Sequence, residues 1–173
     1  KSMIEKVIKY GADIFTVYSL EMIEKISEIA LKNNKIQNIM LRILENDSNI
    51  YPGQEAGFSK DEVIKILPRL KELKGIKLTG LTSFPCFLYS YDTETIEETN
   101  NLKSVLELKE ILLENGVEIT HLNLPSVTCF ENMEIINKYG GTHAEPGHAL
   151  TGTAPVNTRE SKEKQAYLYV SEI

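Results

Sequence analysis

The segment Glu145-Pro146-Gly147-His148 carries the residues with the clearest chemical potential in this sequence. It places a carboxylate before a stiff turn, followed by a glycine and a histidine. A glycine leaves the backbone bare, so nearby N–H groups can approach an anion closely. Ser126, within NLPSVTC, adds a hydroxyl and a further backbone N–H. These residue types predict an anion site next to an acidic side chain.

An acid beside an anion site suggests a ligand with phosphate at one end and a basic nitrogen at the other. Pyridoxal 5'-phosphate is one such molecule. A carboxylate against its ring nitrogen keeps the pyridinium protonated and strengthens its capacity to withdraw electrons. The alternative interpretations are a rim ion pair or helix cap for Glu145 and a simple turn for Gly147.

The composition is that of an ordinary globular domain, with 173 residues, 42% hydrophobic, 25% charged and a net charge of −6. No basic run and no long apolar stretch occurs, so we expect neither a nucleic-acid nor a membrane partner. Two cysteines, Cys86 and Cys129, are too few for a disulfide framework or a zinc site and predict a cytoplasmic protein without a metal. Cys86 follows a proline and is predicted to be a buried structural thiol rather than a nucleophile.

Short β-type runs alternate with segments of helical periodicity along most of the chain. The predicted strands are ADIFTVYS, IQNIMLRIL, GIKLTGLTSF, VEITHLNL and THAE, and the helices between them are LEMIEKISEIALKN, SKDEVIKILPRLKELKG, TIEETNNLKSVLELKEILLENG and TCFENMEIINKYG. Ser59 and Glu62 have the spacing of a capping box, and Gly116 is placed to end a helix. The alternation predicts an α/β protein with a parallel sheet covered by helices.

Polar, glycine- and proline-rich stretches follow several strand ends, and no GxGxxG motif occurs. This distribution favours a (β/α)8 TIM barrel over a doubly wound sheet, because barrel enzymes build their active sites from several such loops. Five strands do not close a barrel. We therefore expect residues 1–158 to be its second half, roughly strands 4 to 8, within a longer gene product. Residues 159–173, with the β-like run QAYLYVSEI, are expected to begin a C-terminal β domain.

The motifs YPGQEAGF, GLTSFPCFLYS, NLPSVTCF and GGTHAEPGHALTGTAP resemble the alanine-racemase-like, fold-type III enzymes that depend on pyridoxal phosphate, and more closely their YhfX branch. The resemblance extends over nearly the whole chain. It implies a PLP-binding barrel and an amino-acid racemase that removes the Cα proton of a small-molecule amino acid. It also implies a homodimer for the full-length protein, in which the second domain of one subunit completes the other's site.

Carried over by position, Ser126 matches a serine that binds the cofactor phosphate, and Gly147 and His148 match backbone contacts to the same phosphate. Glu145 falls where alanine racemases place an arginine against the ring nitrogen. Related basic amino-acid decarboxylases place a glutamate there, within a similar Glu-Pro-Gly motif. The resemblance thus implies a catalytic Glu145 and stronger electron withdrawal than in alanine racemase.

Two alternatives to a racemase stay open. One is a decarboxylase of the same fold. The other is a non-catalytic PLP-binding protein, and the β-like tail argues against this second alternative.

Arg42, Tyr51 and Gln54 are candidate substrate contacts, and Arg42 is equally suited to an internal ion pair. The resemblance places the Schiff-base lysine at the end of the family's first strand. No lysine of this sequence has such a position, so we expect the segment alone to be inactive.

Overall fold

A four-stranded parallel sheet forms the centre of the computed structural model, which describes residues 2–154, 156, 162–166 and 170–171. Its strands, in their spatial order, are β1 (Ile14–Val17), β2 (Gln37–Arg42), β3 (Ile76–Thr82) and β6 (His121–Asn123). An antiparallel hairpin of β4 (Phe87–Ser90) and β5 (Thr95–Glu98) follows β3. The sheet confirms the predicted α/β class with parallel strands.

Helices connect the parallel strands. They are α1 (Met3–Tyr10), α2 (Leu20–Lys32), α3 (Lys60–Glu72), α4 (Asn100–Glu114), α5 (Met133–Lys138) and α6 (His148–Thr151), with a 3₁₀ turn at Phe130–Asn132. Among these described helices, none combines the length and apolar character needed to cross a bilayer.

Each long helix has an apolar side that packs against the sheet. In α2, Ile23, Ile26 and Ala30 recur at helical spacing and are fully buried. They join one core with strand residues such as Leu41 and Leu81, which are also fully buried. Strand β3 is buried at nearly every position, as expected for a parallel strand covered on both faces. This core fixes where the carboxyl ends of the strands lie.

The predicted helix ends are confirmed at two places. At the start of α3, the Ser59 hydroxyl accepts from the backbone N–H of Glu62, and the Glu62 carboxylate accepts from the N–H of Ser59, which completes the capping box. After α4, Gly116 has a φ of 75°, a left-handed conformation that glycine adopts without strain.

Two element predictions are wrong in part. Residues 95–98, predicted as the start of a long helix, form β5, because Ile96 packs on the core while its neighbours Thr95 and Glu97 stay exposed. Helix α4 starts only after Thr99. The predicted fifth parallel strand, THAE, is reduced to a single bridge between Asn123 and His143.

The predicted domain boundary after residue 158 lies outside the described residues. The same holds for most of the predicted C-terminal β region, of which only residues 162–166 and 170–171 are described.

Candidate active site

The carboxyl ends of β2, β3 and β6 lead into loops that surround two adjoining cavities. The first, here called the arginine cavity, has a volume of about 500 Å³ and is lined by Thr16, Tyr18, Arg42, Gly53, Gln54, Ala56, Thr82, Ser83, Phe84, Pro125 and Glu145. The second, the serine cavity, has a volume of about 720 Å³ and is lined by Tyr51, Gln54, Phe84, Leu88, Tyr89, Tyr91, Ser126, Val127, Thr128, Glu145, Gly147, His148 and Ala154. Both volumes lie in the range of small-molecule sites.

Glu145 lies where the cavities meet, since it lines both, together with Gln54 and Phe84. All of the residues predicted from the sequence as site residues line at least one cavity. Arg42 faces the arginine cavity, whereas Ser126, Gly147 and the remaining predicted residues line the serine cavity. The structure thus brings them together, while the role of each stays a prediction.

The carboxylate of Glu145 is held by Asn123, the last residue of β6. The Asn123 side-chain nitrogen donates to Oε1 of Glu145 at 2.6 Å and to Oγ1 of Thr82 at 3.1 Å. Asn123 is only 7% exposed, and its amide oxygen has no hydrogen-bond partner among the described residues. The other carboxylate oxygen of Glu145 accepts no hydrogen bond from a described residue, so it is free for a ligand.

The 125–129 loop, which follows β6, contributes three consecutive residues, 126–128, to the lining of the serine cavity. The carbonyls of residues 125–127 accept hydrogen bonds from within the protein, the first from the N–H of Cys86 and the other two from the side chain of Asn132. The carbonyl of Val127 also accepts from the N–H of Cys129 at 2.9 Å. In a trans peptide group the N–H points opposite to the carbonyl oxygen. The N–H groups of residues 126–128 donate to no described residue, and all three residues line the cavity. Consecutive N–H groups of this kind form an anion-binding nest.

The hydroxyl of Ser126 is already engaged by the protein. It donates to the carbonyl of Phe87 at 3.1 Å. A hydroxyl has a single hydrogen to donate, so a hydroxyl contact to an anion would replace the bond to Phe87. The phosphate contact expected of Ser126 stays a prediction.

Gly147 and His148 form the opposite wall of the serine cavity. A Cβ at Gly147 would meet no protein atom within 4 Å, so the space beside this backbone is open. His148 starts α6 and is exposed, and its Nδ1 lies 3.5 Å from Oγ1 of Thr153. The backbone of Glu145 is tied to the 125–129 loop, since its N–H donates to Oγ1 of Thr128 at 3.3 Å.

Arg42, the last residue of β2, makes internal hydrogen bonds, while its contact with a substrate stays a prediction. Its Nη1 donates to the carbonyls of Gln54 and Ala56, at 2.5 and 2.7 Å. Its Nη2 is buried and has no partner among the described residues. A guanidinium that is 7% exposed, lines a cavity and retains an unpaired nitrogen is suited to a carboxylate.

The loop of residues 44–57 forms the outer wall of both cavities and is clamped by Asn101. This side chain is fully buried at the start of α4, accepts from the N–H of Asn49 at 2.8 Å and donates to the carbonyl of Asn49 at 3.0 Å. Further along the loop, the ring of Tyr51 lies 5.6 Å from that of Phe84. The clamp and the ring contact fix the loop relative to the cavities.

Cys86 lies behind the site and is fully buried, as predicted. Its thiol donates to the carbonyl of Ser83 at 3.2 Å. Burial, with a contribution from the negative charge of Glu145, raises the pKa of Cys86 to about 12. A thiol with this pKa is not a nucleophile at neutral pH.

No lysine among the described residues lines either cavity.

A parallel sheet with a carboxylate and an N–H nest at its strand ends is the arrangement of a barrel-type, ligand-binding α/β domain. The family model of the alanine racemase N-terminal domain matches residues 1–155. The chain belongs to this family, whose fold is that of the fold-type III class.

Two relatives by sequence and one solved structure are similar to this chain. It is 37% identical to the uncharacterized protein YhfX of Escherichia coli strain K12, over 96% of this chain and 43% of that protein. It is 27% identical to a diaminopimelate decarboxylase of Bacteroides thetaiotaomicron, over 84% of the chain and 44% of the enzyme. PipY of Synechococcus elongatus PCC7942 with PLP bound has the same fold, with a TM-score of 0.55, 18% identity and coverage of 82% of this chain and 61% of PipY. The chain thus spans less than half the length of the two curated relatives.

Proposed function

We propose that this chain is the cofactor-binding part of a PLP-dependent amino-acid racemase. The observation that carries the proposal is the position of Glu145, whose carboxylate stands between an N–H nest on one side and an unpaired guanidinium nitrogen on the other. A phosphorylated pyridine requires an anion site for its phosphate and an acid for its ring nitrogen. An amino acid requires a cation for its carboxylate, which Arg42 supplies in the other cavity.

The residues present fit pyridoxal phosphate in chemical type. The N–H groups of residues 126–128 are donors without a partner among the residues that the structure describes, and Gly147, whose backbone is open, lines the same cavity. The free oxygen of Glu145 is an acceptor for a protonated ring nitrogen. The roles expected for Ser126, Gly147, His148 and Glu145 are therefore compatible with the site.

Different residues of the chain contact the cofactor and the amino acid. The nest binds the phosphate, and Glu145, oriented by Asn123, holds a proton at the ring nitrogen. When bound, pyridoxal phosphate withdraws electrons from the bonds at Cα of an amino acid attached to it. The free Nη2 of Arg42 binds the carboxylate of that amino acid, and the loop that carries Tyr51 and Gln54 excludes water from the outer side.

The buried Arg42 also supports racemisation over decarboxylation. A charge-assisted hydrogen bond to the substrate carboxylate would be lost as carbon dioxide leaves, so it favours a reaction that keeps the carboxylate in place. The second candidate is nevertheless a decarboxylase, because Glu145 stands where the related decarboxylases have a glutamate and because one relative is a diaminopimelate decarboxylase.

The test uses the full-length gene product. Its visible spectrum is recorded, the protein is reduced with borohydride, and the modified peptide is located by mass spectrometry. We expect visible absorbance from the bound cofactor and trapping on a lysine outside this chain. Incubation with single L-amino acids, followed by chiral and amine analysis, then separates the reactions.

Each outcome of these measurements assigns the protein to one class of activity. A D-amino acid product supports the racemase, and an amine with loss of carbon dioxide supports the decarboxylase. Bound cofactor without turnover of any of the twenty common amino acids identifies a PLP-binding protein without that chemistry. No bound pyridoxal in the presence of excess PLP would overturn the cofactor assignment.

A further inference from the structure

A buried asparagine lies directly behind the 125–129 loop. Asn132 is 0% exposed, and its side-chain nitrogen donates to the carbonyls of Ser126 at 3.2 Å and Val127 at 3.0 Å. Its amide oxygen is buried and has no partner among the described residues. A buried amide oxygen without a partner is destabilising, so stability alone does not explain an asparagine here.

Asn132 does not serve as a helix cap. It precedes α5 and therefore occupies the N-cap position, but its side chain makes no capping hydrogen bond. Both of its described side-chain bonds go to the loop. The side chain is thus directed at the loop and not at the helix that follows it.

The loop contains a backbone conformation that its sequence disfavours. Val127 has a φ of 46°, in the left-handed region that favours glycine and that β-branched residues avoid. Such a conformation persists only where the surroundings hold it. The two carbonyls that Asn132 binds belong to the peptide groups before and after the Cα of Val127. Asn132 is the described donor to the first carbonyl, and it shares the second with the N–H of Cys129, which donates to the carbonyl of Val127 at 2.9 Å.

We propose that Asn132 is the positioning residue of the anion site. By holding the carbonyls of Ser126 and Val127 inward, it turns the N–H groups of Val127 and Thr128 outward to the serine cavity. Without this hold, the peptide groups around Val127 relax to ordinary torsions and the nest is lost. The inference rests on the proposed function in that the anion is taken to be the phosphate of the cofactor.

The experiment measures ligand affinity and not turnover. The full-length protein is titrated with PLP by absorbance and with inorganic phosphate by ³¹P NMR. The variants are Asn132→Ala, Val127→Gly and the two combined. We expect Asn132→Ala to raise the Kd for both ligands at least about ten-fold, since two oriented N–H donors are lost. Val127→Gly alone is the reference against which the combined variant is compared, because glycine adopts a positive φ without strain.

The combined variant is the decisive one. Glycine at position 127 accepts the left-handed conformation without being held, so it should recover most of the affinity lost in Asn132→Ala. If Asn132→Ala fails to fold, the combined variant should still fold and bind. Ser59→Ala, which weakens a helix cap far from the loop, controls for general destabilisation and should leave both Kd values unchanged.

The outcomes separate this inference from the proposed function. Phosphate binding without PLP binding overturns the cofactor assignment. The positioning role of Asn132 is then tested by the Kd for phosphate. Wild-type affinity in Asn132→Ala, or a folded combined variant that binds no better than Asn132→Ala, overturns the positioning role. Binding of neither ligand by the wild-type protein overturns the anion site and the positioning role with it.

Discussion

The side-chain nitrogen of Asn123 lies 2.6 Å from a carboxylate oxygen of Glu145, a residue 22 positions further along the chain. The same nitrogen donates to Thr82, so its orientation is set by acceptors from two different parts of the fold. Since an ionised carboxylate only accepts hydrogen bonds, this contact fixes one oxygen of Glu145 and leaves the other without a donor among the described residues.

Replacing Asn123 by alanine is predicted to weaken both the fold and the site. The lost hydrogen bond to a charged group and the unpaired Thr82 should lower the free energy of unfolding by about 1–3 kcal/mol. A double-mutant cycle with Glu145→Ala, followed by urea unfolding, should give a coupling energy of about 0.5–2 kcal/mol, reduced by the exposure of Glu145. Thr82→Val is the matched control, since it removes the other acceptor of Asn123. Additive effects of the Asn123 and Glu145 substitutions would contradict the contact.

Arg42→Met is predicted to weaken amino-acid binding selectively. It removes the free guanidinium nitrogen, and a lost bond to a carboxylate corresponds to a rise in Kd of about 10- to 100-fold. The affinity for the corresponding amine, which lacks the carboxylate, should change little. Titration of the PLP-loaded full-length protein with both ligands measures the difference. Arg42→Lys is the control that keeps the charge without the planar fork. Equal losses for both ligands would assign Arg42 to holding the carbonyls of Gln54 and Ala56 alone.

The sequence was sufficient to predict which residues line the two cavities because these residues follow strand ends. In a parallel sheet these ends lie at one edge, so Arg42, Ser126 and Glu145 meet there although they are distant in sequence. The helix signals were equally local: the capping box of Ser59 and the glycine after α4 depend on neighbours within one turn.

The residues that hold the site in place were not predictable in the same way. Asn101, Asn123 and Asn132 are buried amides whose partners are backbone groups or side chains that only the fold brings near, as far as 52 residues away. Asparagine is common at helix starts and strand ends, so the residue type alone did not indicate that these three side chains hold the site in place. The β4–β5 hairpin was missed because its alternation is short and runs directly into the amphipathic pattern of α4.

Asn101→Leu is predicted to release the 44–57 loop. The N–H and carbonyl of Asn49 lose their buried partners, and the expected loss of stability is about 2–4 kcal/mol for two such bonds. Hydrogen exchange measured by mass spectrometry should show faster exchange in this loop than in α4. The control is Asn100→Ala, because the adjacent side chain makes only a long bond of 3.4 Å to the carbonyl of Asp47. Unchanged exchange in the Asn101 variant would show that the loop is held by other contacts.

Cys86 is predicted to make the protein less stable at alkaline pH. Burial raises its pKa to about 12, whereas an unfolded cysteine titrates at about 8.5. The folded state therefore binds this proton more tightly, and the resulting stabilisation is complete below about pH 8.5 and is lost as the pH rises toward 12. Between pH 8 and pH 10 the free energy of unfolding should fall by about 1–2 kcal/mol. Urea unfolding in a Cys129→Ser background measures this fall, because burial also raises the pKa of Cys129. Cys86→Ala in the same background should remove it, and an identical alkaline slope in both proteins would show that Cys86 ionises freely in the folded state.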